Sequence, residues 1–217
     1  LSATGALTWW QRRQSMPRIV GNSTANSADT IILVGSESGS TWGFANTLHD
    51  ALRKTGLQVH TAAMNQLATQ YPKAVRLFIL TATYGDGAAP SSANQFLTRL
   101  DKIKTPSKTG FAVLGFGDRQ FPQFCKFAYD VEAALLSKGW TRLLEIDTID
   151  RQSGQAFTRW GNAVGQLIGN DLELAHTPKR PRTEAFALIK REDYGEAVQA
   201  PTSILRFAAV PSQGFRG

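Results

Sequence analysis

The hydrophobic positions along the centre of this chain fall into short blocks of two alternating kinds. One kind is a continuous, β-branched apolar run; the other repeats apolar residues at helical spacing. Thr30–Gly35 (TIILVG) is the first run, the pattern of a strand buried on both faces. From Trp42 to Lys54, Trp42, Ala45, Leu48, Ala51 and Leu52 recur at helical spacing, and Gly56 stands where a helix C-terminal glycine belongs. Residues 57–64 (LQVHTAAM) and 74–85 (AVRLFILTATYG) predict the second and third strands. Ser91 and Ser92 can cap a helix running to Lys102. Residues 110–117 (GFAVLGFG) predict a fourth strand, 123–137 a helix followed by Gly139, 141–147 (TRLLEID) a fifth strand and 153–168 a last helix.

Such alternation demands an α/β fold: a parallel sheet with helices on both faces, because each crossover between parallel strands is right-handed. In such sheets ligands lie beyond the C-terminal ends of the strands, near the point where the strand order reverses. The first, third and fourth strands all end in loops rich in glycine and hydroxyl residues, so those loops are expected to converge.

The first loop is Ser36, Glu37, Ser38, Gly39, Ser40 and Thr41. Its amides and the following helix start form an anion site, and its hydroxyls add donors. No Gly-Lys-Ser/Thr follows, which excludes a Walker loop, and the glycine spacing does not fit a dinucleotide fingerprint. With no Lys or Arg, the loop suits a phosphate held by N–H and O–H groups in a fixed pose; taken alone it could equally be a helix-capping turn. The second loop runs from Thr81, Ala82, Thr83, Tyr84 and Gly85 to Pro90, and Tyr84 offers a flat face beside two glycines. The third spans Leu114, Gly115, Phe116, Gly117, Asp118, Phe121, Phe124 and Cys125, with Phe121 as a second flat face.

Composition narrows the function classes. The net charge is +7, with 24 basic and 17 acidic residues among 217, but the excess is spread along the chain. No basic run is interleaved with aromatics, so nucleic acid is not an expected partner; an acidic protein or a membrane surface suits the balance better. Cys125 is the only cysteine, which rules out an intrachain disulfide and suits a reducing compartment. His49, His60 and His176 keep no metal-ligand spacing. At the start, Trp9 and Trp10 followed by Arg12 and Arg13 fit either the cytoplasmic exit of a membrane helix or a tail docked by its tryptophans. Residues 11–29, rich in small polar residues, read as a flexible tether.

The three loops together resemble the FMN-binding segments of the diflavin reductase family, which includes cytochrome P450 reductase and the sulfite reductase flavoprotein. Ser36 to Ala45 follows that family's phosphate loop, with Ser38, Thr41 and Trp42 as departures; Trp42 replaces a usual charge and is expected to face a neighbouring domain. Thr81 to Pro90 and Leu114 to Cys125 follow the second and third segments, with Phe121 in the place of a stacking tyrosine. The resemblance covers residues 30–170 and implies a flavodoxin-like, doubly wound five-stranded sheet of order 2-1-3-4-5. It also implies FMN sandwiched by Tyr84 and Phe121, with Gly85 free to turn its peptide toward the ring and Asp118 placing a negative charge beside it. Cys125 is expected to be a packed, inert thiol.

The same resemblance gives residues 186–191 and 200–208 as the opening strands of an FAD-binding reductase domain, in a segment 171–217 that begins as a linker. The implied partners are an FAD/NAD(P)H reductase module and a one-electron acceptor, either a redox protein or a ferric or haem centre. The stretch from Trp9 to Gln14 is similar to the membrane exit of bacterial flavoreductases with a PepSY-associated membrane region. That implies an inner-membrane anchor preceding residue 1 and a place on the cytoplasmic face. A free-standing flavodoxin shuttle and a cofactor-free interaction domain are the alternative classes.

Overall fold

The structure, a computed structural model, describes residues 19–103, 108–177, 186–195 and 202–209. Expectations for residues 1–18 lie outside the described residues. The chain divides into two units, residues 1–178 and 179–217.

In the first unit, β1 (Thr30–Gly35), β2 (Val59–Ala63), β3 (Arg76–Ala82), β4 (Gly110–Gly117) and β5 (Asp147–Asp150) form one parallel sheet. Its order is β2-β1-β3-β4-β5, as the resemblance implied. The helices are α1 (Ser40–Lys54), α2 (Phe96–Asp101), α3 (Lys126–Ser137) and α4 (Gly154–Ile168). Successive strand residues serve opposite faces of the sheet. Ile31, Leu33, Leu77, Ile79 and Val113 join Phe96 and Leu100 of α2 and Phe127, Val131 and Leu135 of α3 in one buried cluster. Ile32, Val34, Phe78, Leu80 and Leu114 join Phe44, Leu48 and Leu52 of α1 and Phe157, Trp160 and Val164 of α4 in the other. This two-sided burial is why the strands read as continuous apolar runs. Trp42, expected at a domain contact, is instead buried in the second cluster at 5% exposure.

Several boundaries differ from expectation. The fifth strand is 147–150, not 141–147. Residues 141–143 make only one ladder step, at the far end of β4: Phe111 N–H donates to the Thr141 carbonyl at 2.9 Å and Leu143 N–H to the Phe111 carbonyl at 2.7 Å. Leu143 then packs over Gly110, where a Cβ would lie 2.5 Å from its Cδ2, and pairing resumes at Leu114–Asp147. The apolar pair Leu143-Leu144 therefore marks packing at the strand's entrance, not the strand itself. The helix expected from Ser91 begins at Phe96, because Ser92 is committed to the first loop. α3 begins at Lys126 rather than Gln123. Gly56, at φ +91°, follows α1 as expected.

The stretch 22–29, expected as part of the tether, is bonded to the sheet. β2 is an edge strand, and an edge exposes unpaired backbone groups. The Asn22 side chain covers them: its Nδ2 donates to the Thr61 carbonyl at 2.9 Å and its Oδ1 accepts from Thr61 N–H at 2.7 Å. Ser23 N–H donates to the Val59 carbonyl at 2.9 Å. At the other end, Leu172 and Leu174 are buried in the α1/α4 cluster, so the ordered unit continues past residue 170.

In the second unit, β6 (Phe186–Tyr194) and β7 (Thr202–Ala209) pair antiparallel. Phe186, Leu188, Ile189, Ile204, Leu205 and Phe207 are all exposed on this two-stranded ribbon.

Candidate functional site

The loops after β1, β3 and β4 converge beyond the C-terminal end of the sheet and enclose a cleft of about 540 Å³. Glu37, Ser38, Ser40, Ala82, Thr83, Tyr84, Gly85, Gly117, Asp118, Phe121, Phe124 and Cys125 line it, all of them expected. Ser36, Gly39, Thr41, Thr81, Leu114 and Gly115 do not line it: Thr81, Leu114 and Gly115 are buried residues of β3 and β4, and Ser36, Gly39 and Thr41 belong to the first loop and the helix start that adjoin it.

Ser36 and Gly39 shape the first loop. Ser36 is buried; its N–H donates to Ser92 Oγ at 2.7 Å, and Ser92 Oγ donates back to the Ser36 carbonyl at 2.9 Å. Ser36 Oγ accepts the Gly39 N–H at 3.0 Å, which closes the turn. Gly39 precedes α1 with φ +90°, a conformation that favours glycine. It has no side chain with which to cap the helix, and α1 has no acidic residue in its first turn. Trp42 N–H donates back to the Gly39 carbonyl at 3.2 Å, and the amides of Ser40 and Thr41 ahead of it, which a helix leaves without intrahelical partners, open this start to an anion. Beside it Thr41 Oγ1 is buried and has no hydrogen-bond partner. A buried hydroxyl without a partner is costly, and an anion at the helix start is the group its chemistry fits. Glu37 is turned to structural use: its Oε2 accepts the Ser91 N–H at 2.6 Å.

The second loop is closed by reciprocal bonds between Tyr84 and Ala88, at 2.9 and 2.8 Å. Gly85 and Gly87 take φ +50° and +97° inside this turn. Thr83 N–H donates to the Phe116 carbonyl at 3.0 Å, and Thr83 Oγ1 accepts the Phe127 N–H at 3.2 Å, tying the loop to β4 and α3. The tyrosine that this frame presents is 55% exposed, and Phe121 of the third loop is 60% exposed. Large aromatics left this open at the mouth of one cleft offer two flat surfaces to a ligand. Asp118 Oδ1 accepts the Gln120 N–H at 2.9 Å, which fixes its carboxylate in the third loop. Gly115 and Gly117 let α3 approach: a Cβ at Gly115 would lie 2.8 Å from Ala128 Cβ, and one at Gly117 3.0 Å from Cys125 Sγ. Burial pushes the Cys125 thiol up to about 12, so it is a packed thiol rather than a nucleophile, as expected.

Arg151 and Gln152 also line the cleft and were not foreseen. They follow β5 directly, and both hold positive φ, +45° and +60°. Arg151 N–H donates to the Gly117 carbonyl at 2.9 Å, which joins this fourth loop to the third. With the fifth strand expected at 141–147 they fell in a long connection; with the strand at 147–150 they become its exit loop, directly before the helix expected from Ser153, whose Oγ accepts the Ala156 N–H. Among the described residues no group of His, Cys, Asp and Glu could hold a metal ion. No described helix is long and apolar enough to cross a membrane.

An open parallel sheet of order 2-1-3-4-5 whose ligand cleft lies at the switch point, with an anion-receptive helix start and two exposed aromatics, defines a doubly wound flavodoxin-like protein. The chain belongs to the flavodoxin family, whose model matches residues 32–159. It is 30% identical over 180 residues to the sulfite reductase [NADPH] flavoprotein alpha-component of Neisseria meningitidis serogroup C (strain 053442), a match covering 82% of this chain and 30% of that protein. It is 30% identical over 135 residues to the bifunctional cytochrome P450/NADPH–P450 reductase of Bacillus cereus, covering 61% of this chain and 12% of the relative. This chain thus spans less than a third of the length of these curated relatives. Among solved structures, the flavodoxin of Streptococcus pneumonia TIGR4 matches with a TM-score of 0.58 at 25% identity, covering 64% of this chain and 97% of that one.

Proposed function

We propose that residues 30–177 bind FMN in the cleft and act as an electron-transfer module, passing electrons from an FAD-containing reductase module to a one-electron acceptor. The observation that carries this reading is the pairing, in one cleft, of an anion-receptive helix start, whose own loop holds no Lys or Arg, with two exposed aromatic faces. A flat, phosphate-bearing cofactor fits both ends at once.

When bound, FMN supplies the redox chemistry, taking electrons in pairs and releasing them singly. The chain's own residues bind and orient it. Ser38, Ser40 and Thr41 offer hydroxyls and first-turn amides to the phosphate, while Ser36 and Ser92 hold that loop rigid. Tyr84 and Phe121 cover the ring. Gly85, in a left-handed conformation, would present a peptide free to reorient toward a bound flavin ring. The fixed Asp118 carboxylate disfavours negative charge on the ring, and Arg151 places an opposing charge at the same cleft.

The relatives named above are reductase components, which supports an oxidoreductase role and an FAD/NADPH-type electron donor. The exposed apolar ribbon of β6 and β7 supports a continuation into a further domain and favours a module over a free-standing shuttle. A place on the cytoplasmic face of the inner membrane is supported by the single cysteine and by the aromatic-then-basic order of Trp9, Trp10, Arg12 and Arg13. The visible spectrum of the purified protein with added FMN is the test. Protein-bound flavin bands are expected; a protein that leaves FMN free in solution refutes the reading and favours a cofactor-free interaction domain.

A further inference from the structure

The stretch after α4 lies in a track made by glycines. α4 ends at Gly169, at the pole of the sheet opposite the cleft. The chain then turns, with Asn170 N–H donating to the Gly165 carbonyl at 3.0 Å, and runs back along the helix. A Cβ at Gly165 would lie 2.6 Å from the Asn170 carbonyl oxygen and 3.1 Å from Leu172 N. One at Gly161 would lie 2.6 Å from Leu174 Cγ, and one at Gly154 2.7 Å from the His176 carbonyl oxygen. Each contact lies nearer the start of α4, by four and then seven residues of helix, as the strap advances from Leu172 to Leu174 to His176. From Gly165 to Gly154 the helix rises about 16 Å, and the four steps from Leu172 to His176 span about 13 Å when extended. The two lengths are close enough for the strap to lie flat along the helix.

The strap is fastened as well as accommodated. Leu172 and Leu174 are buried. Thr158 Oγ1 donates to the Leu174 carbonyl at 2.7 Å. His176 inserts between the first two turns of α1 and the first turn of α4. Its ring lies 4.1 Å from the Phe44 centroid, and its Nδ1 is 3.0 Å from Thr47 Oγ1. Gly43 makes room for it, since a Cβ there would lie 2.8 Å from His176 Cε1. Both helix starts sit at the cleft end: Ser40 opens α1, and Arg151 and Gln152 precede α4, all three lining the cleft.

We propose that residues 170–176 are a docked strap, latched by His176, that returns the chain from the far pole to the cofactor end of the domain. Thr177, the last described residue of this unit, is therefore held at the cleft end. Undocked, the same residues would leave from the far end of α4, moving the release point by about 16 Å or more. The consequence for electron delivery rests on the function proposed above; the strap itself does not.

The test uses Glu-C proteolysis at Glu173, whose side chain is exposed while its neighbours Leu172 and Leu174 are buried. The docked strap resists cleavage. Gly161→Val, which fills the track, and the milder pair Thr47→Val with His176→Ala, which leaves every track glycine in place, are expected to raise cleavage at Glu173 at least tenfold. Wild-type cleavage as fast as that of an unstructured peptide, or unchanged protection in the second variant, overturns the strap. In a fusion continuing into an FAD-containing reductase module, the undocked variants are expected to slow NADPH-driven flavin reduction at least threefold while dithionite reduction is unchanged. Equal NADPH-driven rates overturn the positioning role. Failure to bind FMN would instead strike the functional reading, and the proteolysis result would stand apart from it.

Discussion

Replacing Thr41 by valine changes one oxygen for one methyl at a site where the fold and the ligand make opposite demands. Thr41 is 1% exposed and its Oγ1 has no partner in the protein. Valine keeps the volume and the branching at Cβ, so the first turn of α1 is preserved. Removing an unsatisfied buried hydroxyl relieves a desolvation cost of about 1 kcal/mol or more. In the flavin-free protein Thr41→Val is therefore expected to be neutral or stabilising. In the complex, the same change is expected to delete a hydrogen bond to a charged phosphate, worth about 1.5–3 kcal/mol. That corresponds to roughly a ten- to 100-fold weaker FMN affinity, at about 1.4 kcal/mol per decade. Riboflavin, which lacks the phosphate, is expected to bind wild type and variant alike. Urea unfolding of the flavin-free forms reads the first effect, and titrations of flavin fluorescence with FMN and with riboflavin read the second. Unchanged FMN affinity, or equal losses for FMN and riboflavin, would refute a phosphate beside Thr41. A flavin-free variant destabilised by more than about 1 kcal/mol would show that the hydroxyl has a partner in the fold.

Three further outcomes are expected. Tyr84→Ala and Phe121→Ala are each expected to weaken FMN binding and brighten the bound flavin, because a stacked aromatic quenches fluorescence; bright emission from the wild-type complex would argue against stacking. NADPH or NADH mixed with this 217-residue chain in a stopped-flow instrument is expected to leave the flavin oxidised while dithionite bleaches it; bleaching at about 1 s⁻¹ or faster would mean that the chain is a complete reductase. Burial holds His49 and His176 below the ordinary value of 6.5. The unfolded chain then takes up protons first as pH falls, so their stabilisation is present above 6.5 and declines below it until the folded values are reached. Urea midpoints at pH 7.5 and 5.5 test this: the loss on acidification should shrink in a His49→Gln, His176→Gln variant, and an equal loss would exclude both histidines as its source.

Much of the sheet and three walls of the cleft were legible in the chain because they follow from local rules. A strand buried on both faces must be continuously apolar, and β1, β3 and β4 are. A loop that receives an anion at a helix start must be small and hydroxyl-bearing, and residues 36–41 are. These demands act within a few residues, so composition at each position carries them. The strand order could be inferred only through resemblance.

What failed locally was decided by partners distant in sequence. Leu143 and Leu144 have the composition of a strand, yet the space over Gly110 claims Leu143, and the strand moves to the less apolar Asp147–Asp150. That shift hid Arg151 and Gln152, whose place in the cleft depends on a bond to the Gly117 carbonyl. Ser92 has the composition of a helix cap, but its hydroxyl is taken by Ser36, 56 residues away. Asn22 lies in a stretch composed like a tether and is ordered because an edge strand offers it both a donor and an acceptor. Glycine is a weak helix former, and only the returning strap shows why a side chain at Gly154, Gly161 or Gly165 of α4 would collide. Sequence pattern determines which segments can be buried strands, helices or anion-binding turns, since those properties are local. Tertiary structure decides which segment wins each contested place, since that depends on the space and the unpaired polar groups that remain once the sheet has formed.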